Sequence, residues 1–268
     1  MQRVELADNL DVLRGLPDGS VDLIYTDPPF GTGKRQRLDS IRTGRGDRTR
    51  GGFAGRTYPF EVVSTIEYRD DLPFEQYLGF LELRLVEMHR VLAPDGSLYL
   101  HLDHHSVHYA RLILDQIFGA DRFLNEIIWA YDYGGRHRDR WPRKHDSILW
   151  YAKGDRWKFN REDIDRIPYM APGLVGPEKA ARGKLPTDVW WMTIVPTNSA
   201  ERTGYPTQKP VALARRIIAA SSDAGDLVAD FFCGAGTVGV AAKELDRRYL
   251  LVDSNPEAIA IATERLSR

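Results

Sequence analysis

Leu227-Val228-Ala229-Asp230-Phe231-Phe232-Cys233-Gly234-Ala235-Gly236-Thr237-Val238-Gly239 reads as a strand, a glycine turn and the start of a helix. The run begins apolar, as a strand buried on both faces must be. Gly234, Gly236 and Gly239 match the spacing G-x-G-x-x-G, which lets a ligand approach the backbone beside a helix N-terminus. Alone, that spacing is weakly specific. Two acids sharpen it. Asp230 ends this strand, and Asp253 ends the next one, Tyr249-Leu250-Leu251-Val252, where a carboxylate can bind both ribose hydroxyls. A dinucleotide such as NAD would set its pyrophosphate against the turn, where Asp230 is unwelcome. A cation carrying a ribose and an amino group suits both acids better, and S-adenosylmethionine is such a molecule.

Working outward, the chain alternates strands and helices. Strands are expected at Arg3 to Leu6, Val21 to Thr26, Ser97 to Leu102, Glu126 to Tyr131, Ser147 to Tyr151, Asp226 to Phe232 and Arg248 to Val252. Helices are expected at Leu10 to Leu16, Pro73 to Val91, His108 to Phe118, Val211 to Ser221, Gly236 to Leu245 and Pro256 to Leu266. Apolar strands alternating with helices give an α/β fold on a mostly parallel sheet. Pro94-Asp95-Gly96 reads as a turn, and residues 31–58, rich in Gly and Arg, as a long mobile loop. The segment 154–203 loses the rhythm and reads as an insertion between a first part, 1–153, and a last part, 204–268.

The Val21 to Thr26 strand runs into Asp27-Pro28-Pro29-Phe30. The Asp27 carboxylate accepts hydrogen bonds, Pro29 fixes the peptide that carries the Pro28 carbonyl, and Phe30 offers an aromatic face. Two acceptors and a platform suit a flat ring with an exocyclic amine. A plain Asp-Pro-Pro turn is the simpler alternative.

Composition is that of a soluble globular protein: 43% apolar and 28% charged over 268 residues, with net charge −1. No apolar run could cross a membrane, and acids at Glu5 and Asp8 argue against a signal peptide. Cys233 is the single cysteine, so no internal disulfide forms and a cytoplasmic setting is expected. Its place in the glycine turn suits a small packed side chain. Cations concentrate in 34–56, which starts Lys34-Arg35, and in 136–158, where Arg136, Arg138, Arg140, Arg143 and Lys144 surround Trp141. Two such stretches in a near-neutral chain suggest phosphate contacts. His101, His104, His105 and His108 tempt a metal reading, but no second ligand cluster accompanies them, and pocket lining or base contact is expected instead.

Thr26-Asp27-Pro28-Pro29-Phe30, Tyr205-Pro206-Thr207-Gln208-Lys209-Pro210, Asp230-Phe231-Phe232-Cys233-Gly234-Ala235-Gly236-Thr237 and Tyr249-Leu250-Leu251-Val252-Asp253 follow one another in an order that resembles the β-class DNA amino-methyltransferases. The resemblance implies a Rossmann-like, seven-stranded methyltransferase sheet, circularly permuted, with the target-recognition region inserted at 154–203. It implies Asp27, Pro28, Pro29 and Phe30 as catalytic residues. For S-adenosylmethionine it implies Asp230, Phe231, Cys233, Gly234, Gly236, Thr237 and Asp253, with Asp8 near the adenine unless it simply caps a helix. It also implies Thr207 and Lys209 closing over the methionine part, where Lys209 or its neighbours would meet the carboxylate. Lys34, Arg35 and the cations of 136–144 become DNA contacts, and the first basic stretch would order on DNA. The expected reaction is methyl transfer to the N6 of a flipped-out adenine in duplex DNA, without a metal. Alternatives are cytosine N4, an RNA methyltransferase, and a non-catalytic DNA-binding protein. A homodimer and a cognate restriction endonuclease are further expectations of the resemblance.

Overall fold

Val21, Leu23 and Ile24 have no exposed surface, which requires cover on both faces of their strand. The computed structural model, describing residues 2–30, 36–51, 57–68 and 72–268, provides it. The chain runs β1 (Gln2–Leu6), α1 (Asn9–Gly15), β2 (Val21–Thr26), β3 (Gln36–Gly51), β4 (Thr57–Tyr68), α2 (Phe74–Val91), β5 (Leu92–Leu102) and α3 (Val107–Phe118). Then come β6 (Phe123–Ala130), β7 (His145–Ala152), α4 (Pro177–Arg182), β8 (Val189–Trp191) and α5 (Val211–Ser221). The last elements are β9 (Leu227–Asp230), α6 (Thr237–Glu244), β10 (Arg248–Asp253) and α7 (Pro256–Ser267).

The sheet has the order β1-β10-β9-β2-β5-β7-β6-β8. Only β7 opposes its neighbours, pairing antiparallel with β5 and β6; the other pairings are parallel. Alternation along the strands builds two cores. Ile24, Leu98 and Leu250 pack with Leu81, Leu85 and Leu114 of α2 and α3 on one face. Leu23, Val228 and Leu251 pack with Leu213, Ile217 and Ala241 of α5 and α6 on the other. Pairing of β2 with β9, Leu23 beside Val228 and Ile24 beside Ala229, joins segments two hundred positions apart and brings Asp27 toward Asp230. β1 lies parallel to β10, and α7 packs on both, the permuted closure that the resemblance implies.

Three expectations need correction. The sheet has eight strands rather than seven, because Val189–Trp191 adds parallel to β6 at the edge. Trp190 turns inward beneath Arg216, while Trp191 faces out, as alternation on a strand demands. β5 runs through Pro94-Asp95-Gly96: Leu92 already pairs with Val21, and the register shifts before Ser97 meets Leu23. The would-be turn is thus a bulge inside a strand. The described parts of 31–58 form a two-stranded antiparallel sheet with β4, not a structureless loop. The Thr, Val, Ile, Phe and Tyr content of Thr57–Tyr68 is the β-forming signal that the glycines and arginines before it obscured. Residues 31–35 and 52–56 of the expected loop lie outside the described residues.

Candidate active site

In a parallel sheet, side chains that can meet a ligand gather at the carboxyl ends of the strands. Here β1 leads to Asp8, β10 to Asp253, β9 to Asp230, β2 to Asp27 and β5 to Asp103. A cleft of about 520 Å³ opens along this edge. Its lining includes Asp27, Pro28, Pro29 and Phe30 from one half of the chain. From the other half come Thr207, Lys209, Asp230, Phe231, Cys233, Gly234, Thr237 and Asp253. Asp8 lines it as well, whereas Gly236 sits behind the surface: its φ is +72°, and a Cβ there would lie 2.7 Å from the Ala262 Cβ. Gly236 therefore shapes the turn and the approach of α7 without offering a contact.

Asp27 is held at one oxygen only. Lys209 pairs with Oδ2, and its ammonium also stands 5.4 Å from the centre of the Phe30 ring. The other oxygen, Oδ1, is buried and has no hydrogen-bond partner among the described residues. An orphan acceptor in a cleft is costly unless something donates to it. The structure sets the Lys209 ammonium on Asp27 at the cleft wall. Thr207, at φ +59°, takes the left-handed backbone that starts this approach. Gln208 secures the segment, accepting from the Thr203 amide at 2.9 Å and hydroxyl at 2.8 Å and donating to the Glu201 carbonyl at 2.7 Å.

Asp230 and Asp253 make the cleft acidic. Burial, with Asp27 and Asp253 nearby, pushes the Asp230 carboxyl up to about 7, although the Phe232 amide and the Thr26 hydroxyl, at 2.8 Å, hydrogen-bond it. Burial also raises Asp253, against hydrogen bonds from the Asn255 and Gly234 amides, both 2.9 Å. Asp253 thus pins the glycine turn. Asp8 does cap α1, accepting from the Leu10 amide at 2.8 Å, and it pairs with buried Arg84 at 2.9 Å. Arg84 also binds Asn9 at 2.6 Å, and Asn9 donates to the Phe231 carbonyl at 2.5 Å. Sequence reasoning missed Arg84 and Asn9. An arginine in the apolar helical stripe of α2 was the available signal.

A second cleft, about 440 Å³, adjoins the first across a shared wall of Phe30, Tyr205, Thr207, Gln208 and Lys209. Beneath that wall runs a buried relay. The Tyr25 hydroxyl meets His101 Nδ1 at 3.1 Å, His101 Nε2 meets Asp146 at 3.2 Å, and Tyr131 donates to Asp146 at 3.0 Å. Burial works to raise Asp146, but its His101 hydrogen bond and charge, with Lys209 and Tyr131, outweigh burial and hold it below the usual carboxylate range. His101 is therefore buried structure linking the two clefts, and His104 lines the second. Asp103, His104 and His105 bring potential ligand atoms within 4.8 Å, yet Asp103 already hydrogen-bonds His105 at 2.5 Å.

Among the expected DNA contacts, Lys34 and Arg35 lie outside the described residues. Arg136, Arg138 and Arg140 are exposed on the loop between β6 and β7, and Arg140 pairs with Asp139. Arg143 lines the second cleft, and Lys144 donates to the Gly134 carbonyl at 2.9 Å, closing the loop's base.

Comparison with known proteins gives the family and the fold. The family model described as DNA methylase, of the N6/N4 group, matches residues 21–264. The type II methyltransferase M.HpaI of Haemophilus parainfluenzae is 35% identical over 267 residues, 99% of this chain and 74% of that protein. The type II methyltransferase M.BglII of Bacillus subtilis is 27% identical over 282 residues, covering 100% of this chain and 69% of its own length. Two solved structures share the fold. The M1.HpyAVI–SAM complex has a TM-score of 0.63 at 20% identity, with full coverage of both chains. The cytosine-N4-specific PvuII DNA methyltransferase has a TM-score of 0.68 at 16% identity, covering 98% of this chain and 85% of its own.

Proposed function

Since this chain belongs to the DNA methylase family of N6- and N4-methyltransferases, we propose that it methylates the N6 amine of adenine in double-stranded DNA, with S-adenosylmethionine as donor. The observation that carries this reading is Asp27 in the first cleft, with Oδ2 held by Lys209 of the shared wall and Oδ1 buried and without a partner among the described residues. The donor supplies an electrophilic methyl carbon on a sulfonium. The first cleft suits such a cation: the carboxylates of Asp8, Asp27, Asp230 and Asp253 line it against the cations of Arg84 and Lys209. Burial first, and the neighbouring Asp27 and Asp253 second, raise the Asp230 carboxyl to about 7, so a cation bound beside it would favour its charged form. Phe231, Cys233, Gly234 and Thr237 offer the close wall that a nucleoside needs.

The second cleft takes the ring of the flipped base, whose amine reaches past Phe30 of the shared wall toward Asp27 and Pro28 of the first. Phe30 stacks on its ring, and Asp27 Oδ1 and the Pro28 carbonyl accept the two amine hydrogens. That concentrates lone-pair density on nitrogen and aims it across the shared wall. Alignment, and carboxylates facing the amine as it turns cationic, supply the acceleration. Cys233 is buried with its thiol pushed well up, so no covalent enzyme–base adduct is invoked. A carboxylate rather than a hydroxyl at position 27 supports adenine over cytosine. Kinship with proteins named type II methyltransferases supports a restriction-modification role beside a cognate endonuclease.

Incubation with genomic DNA and S-adenosylmethionine, digestion and mass spectrometry of the nucleosides tests the reading. N6-methyladenine is expected, and N4-methylcytosine in its place would reassign the target. Asp27→Ala should lower the single-turnover rate at saturating S-adenosylmethionine at least ~100-fold. Wild-type activity in that variant would sink the assignment.

A further inference from the structure

The β6–β7 loop carries the most exposed tryptophan of the chain within one of its two dense runs of cations. Trp141 is 93% exposed. Within 131–145 stand Arg136, Arg138, Arg140, Arg143 and Lys144 against two acids, Asp132 and Asp139. β6 runs parallel to β5, because both oppose β7, so the loop leaves the same edge of the sheet as Asp27. Arg143, two positions after Trp141, lines the second cleft with Tyr131 and His145. An exposed tryptophan set among cations is a combination that stacked bases and phosphates can meet together. A duplex that loses a base to a pocket is left with a gap in its stack, which an inserted apolar or aromatic side chain can fill.

We propose that Trp141 is the residue that enters the DNA stack in place of the extruded base, steered there by the phosphate-binding cations on its own loop. The inference rests on the DNA-methylating function above and adds a residue that handles the duplex instead of the amine. The partner is duplex DNA rather than a protein surface, because cations ring the tryptophan and complement a polyanion. Trp191, 76% exposed at the end of β8 on the same edge, has no cation among Val189 to Thr193 and serves as the comparison.

The test uses oligonucleotide duplexes carrying the sequence that the wild-type protein methylates on plasmid DNA. In one the target base is paired, and in the other it faces an abasic site, where extrusion is easy. Trp141→Ala should slow single-turnover methylation of the paired duplex about tenfold or more, and return to within about threefold of wild type on the abasic one. Trp141→Phe should restore most of the paired rate. With 2-aminopurine as target, the fluorescence rise on binding should be lost in Trp141→Ala. An unchanged paired rate, an equal loss on both duplexes, or the abasic-rescued pattern appearing in Trp191→Ala instead would overturn the assignment. Wild-type protein that methylates no DNA would overturn the underlying function, a result separable from all three.

Discussion

Asp230 shows how one buried carboxyl couples stability to ligand charge. Its folded value is pushed up to about 7, while an unfolded aspartate titrates near 4. Between those values the folded chain keeps a proton that the unfolded chain has lost. Stability therefore falls as pH rises through that window, and above about 7 the charged form is carried at full cost. Asp230→Asn should remove the cost, stabilising the ligand-free protein by on the order of 1–3 kcal/mol at pH 8, and by much less near pH 4. The gain stays below the full shift because the variant weakens the hydrogen bonds from Thr26 and Phe232. The same variant should bind S-adenosylmethionine about tenfold or more weakly, and wild-type affinity should fall as pH drops below 7. Scanning calorimetry and titration calorimetry at pH 5 and pH 8 check both signs.

At the level of elements, the glycine turn between β9 and α6 is held by close approach. Gly236 combines a left-handed backbone with a Cβ position 2.7 Å from Ala262, and at Gly239 a Cβ would meet the Leu251 side chain at 2.5 Å. Gly236→Ala should cost about 2 kcal/mol or more, read as a lower urea midpoint at unchanged slope. This turn, β2, β10 and the helices flanking them were legible in the sequence, because each is a local pattern: an apolar run, a glycine spacing, an acid at a strand end. What was not legible depends on partners far along the chain. β8 is three residues long and becomes a strand only through β6. The bulge at Pro94-Asp95-Gly96 exists because Val21 and Leu23 pair on either side of it. The Tyr25–His101–Asp146 relay spans β2, β5 and β7, so its histidine looked like one of a metal-like series. Among the site residues, those within quoted motifs could be named in advance. Arg84 left only the signal of a charge in an apolar stripe, and Asn9 left none, since their importance comes from contacts with Asp8 and Phe231 made across two helices.

On the scale of the molecule, strand order sorts the chemistry. From β1 to β9 the carboxyl edge presents Asp8, Asp253 and Asp230; β2 contributes Asp27; beyond it come Asp103, Asp146 and the cationic loop. The two clefts thus lie side by side, and Phe30, Tyr205, Thr207, Gln208 and Lys209 belong to both. A partition with two faces cannot be ordered from one side alone. Each ligand should change its neighbour's dissociation constant by one and the same factor, and thermodynamic reciprocity allows no other result. Titrating DNA with and without a non-reactive donor analogue, then the analogue with and without DNA, should return that single factor, about five or more. A factor of one in both directions would mean that the partition is a rigid wall, indifferent to what rests against it.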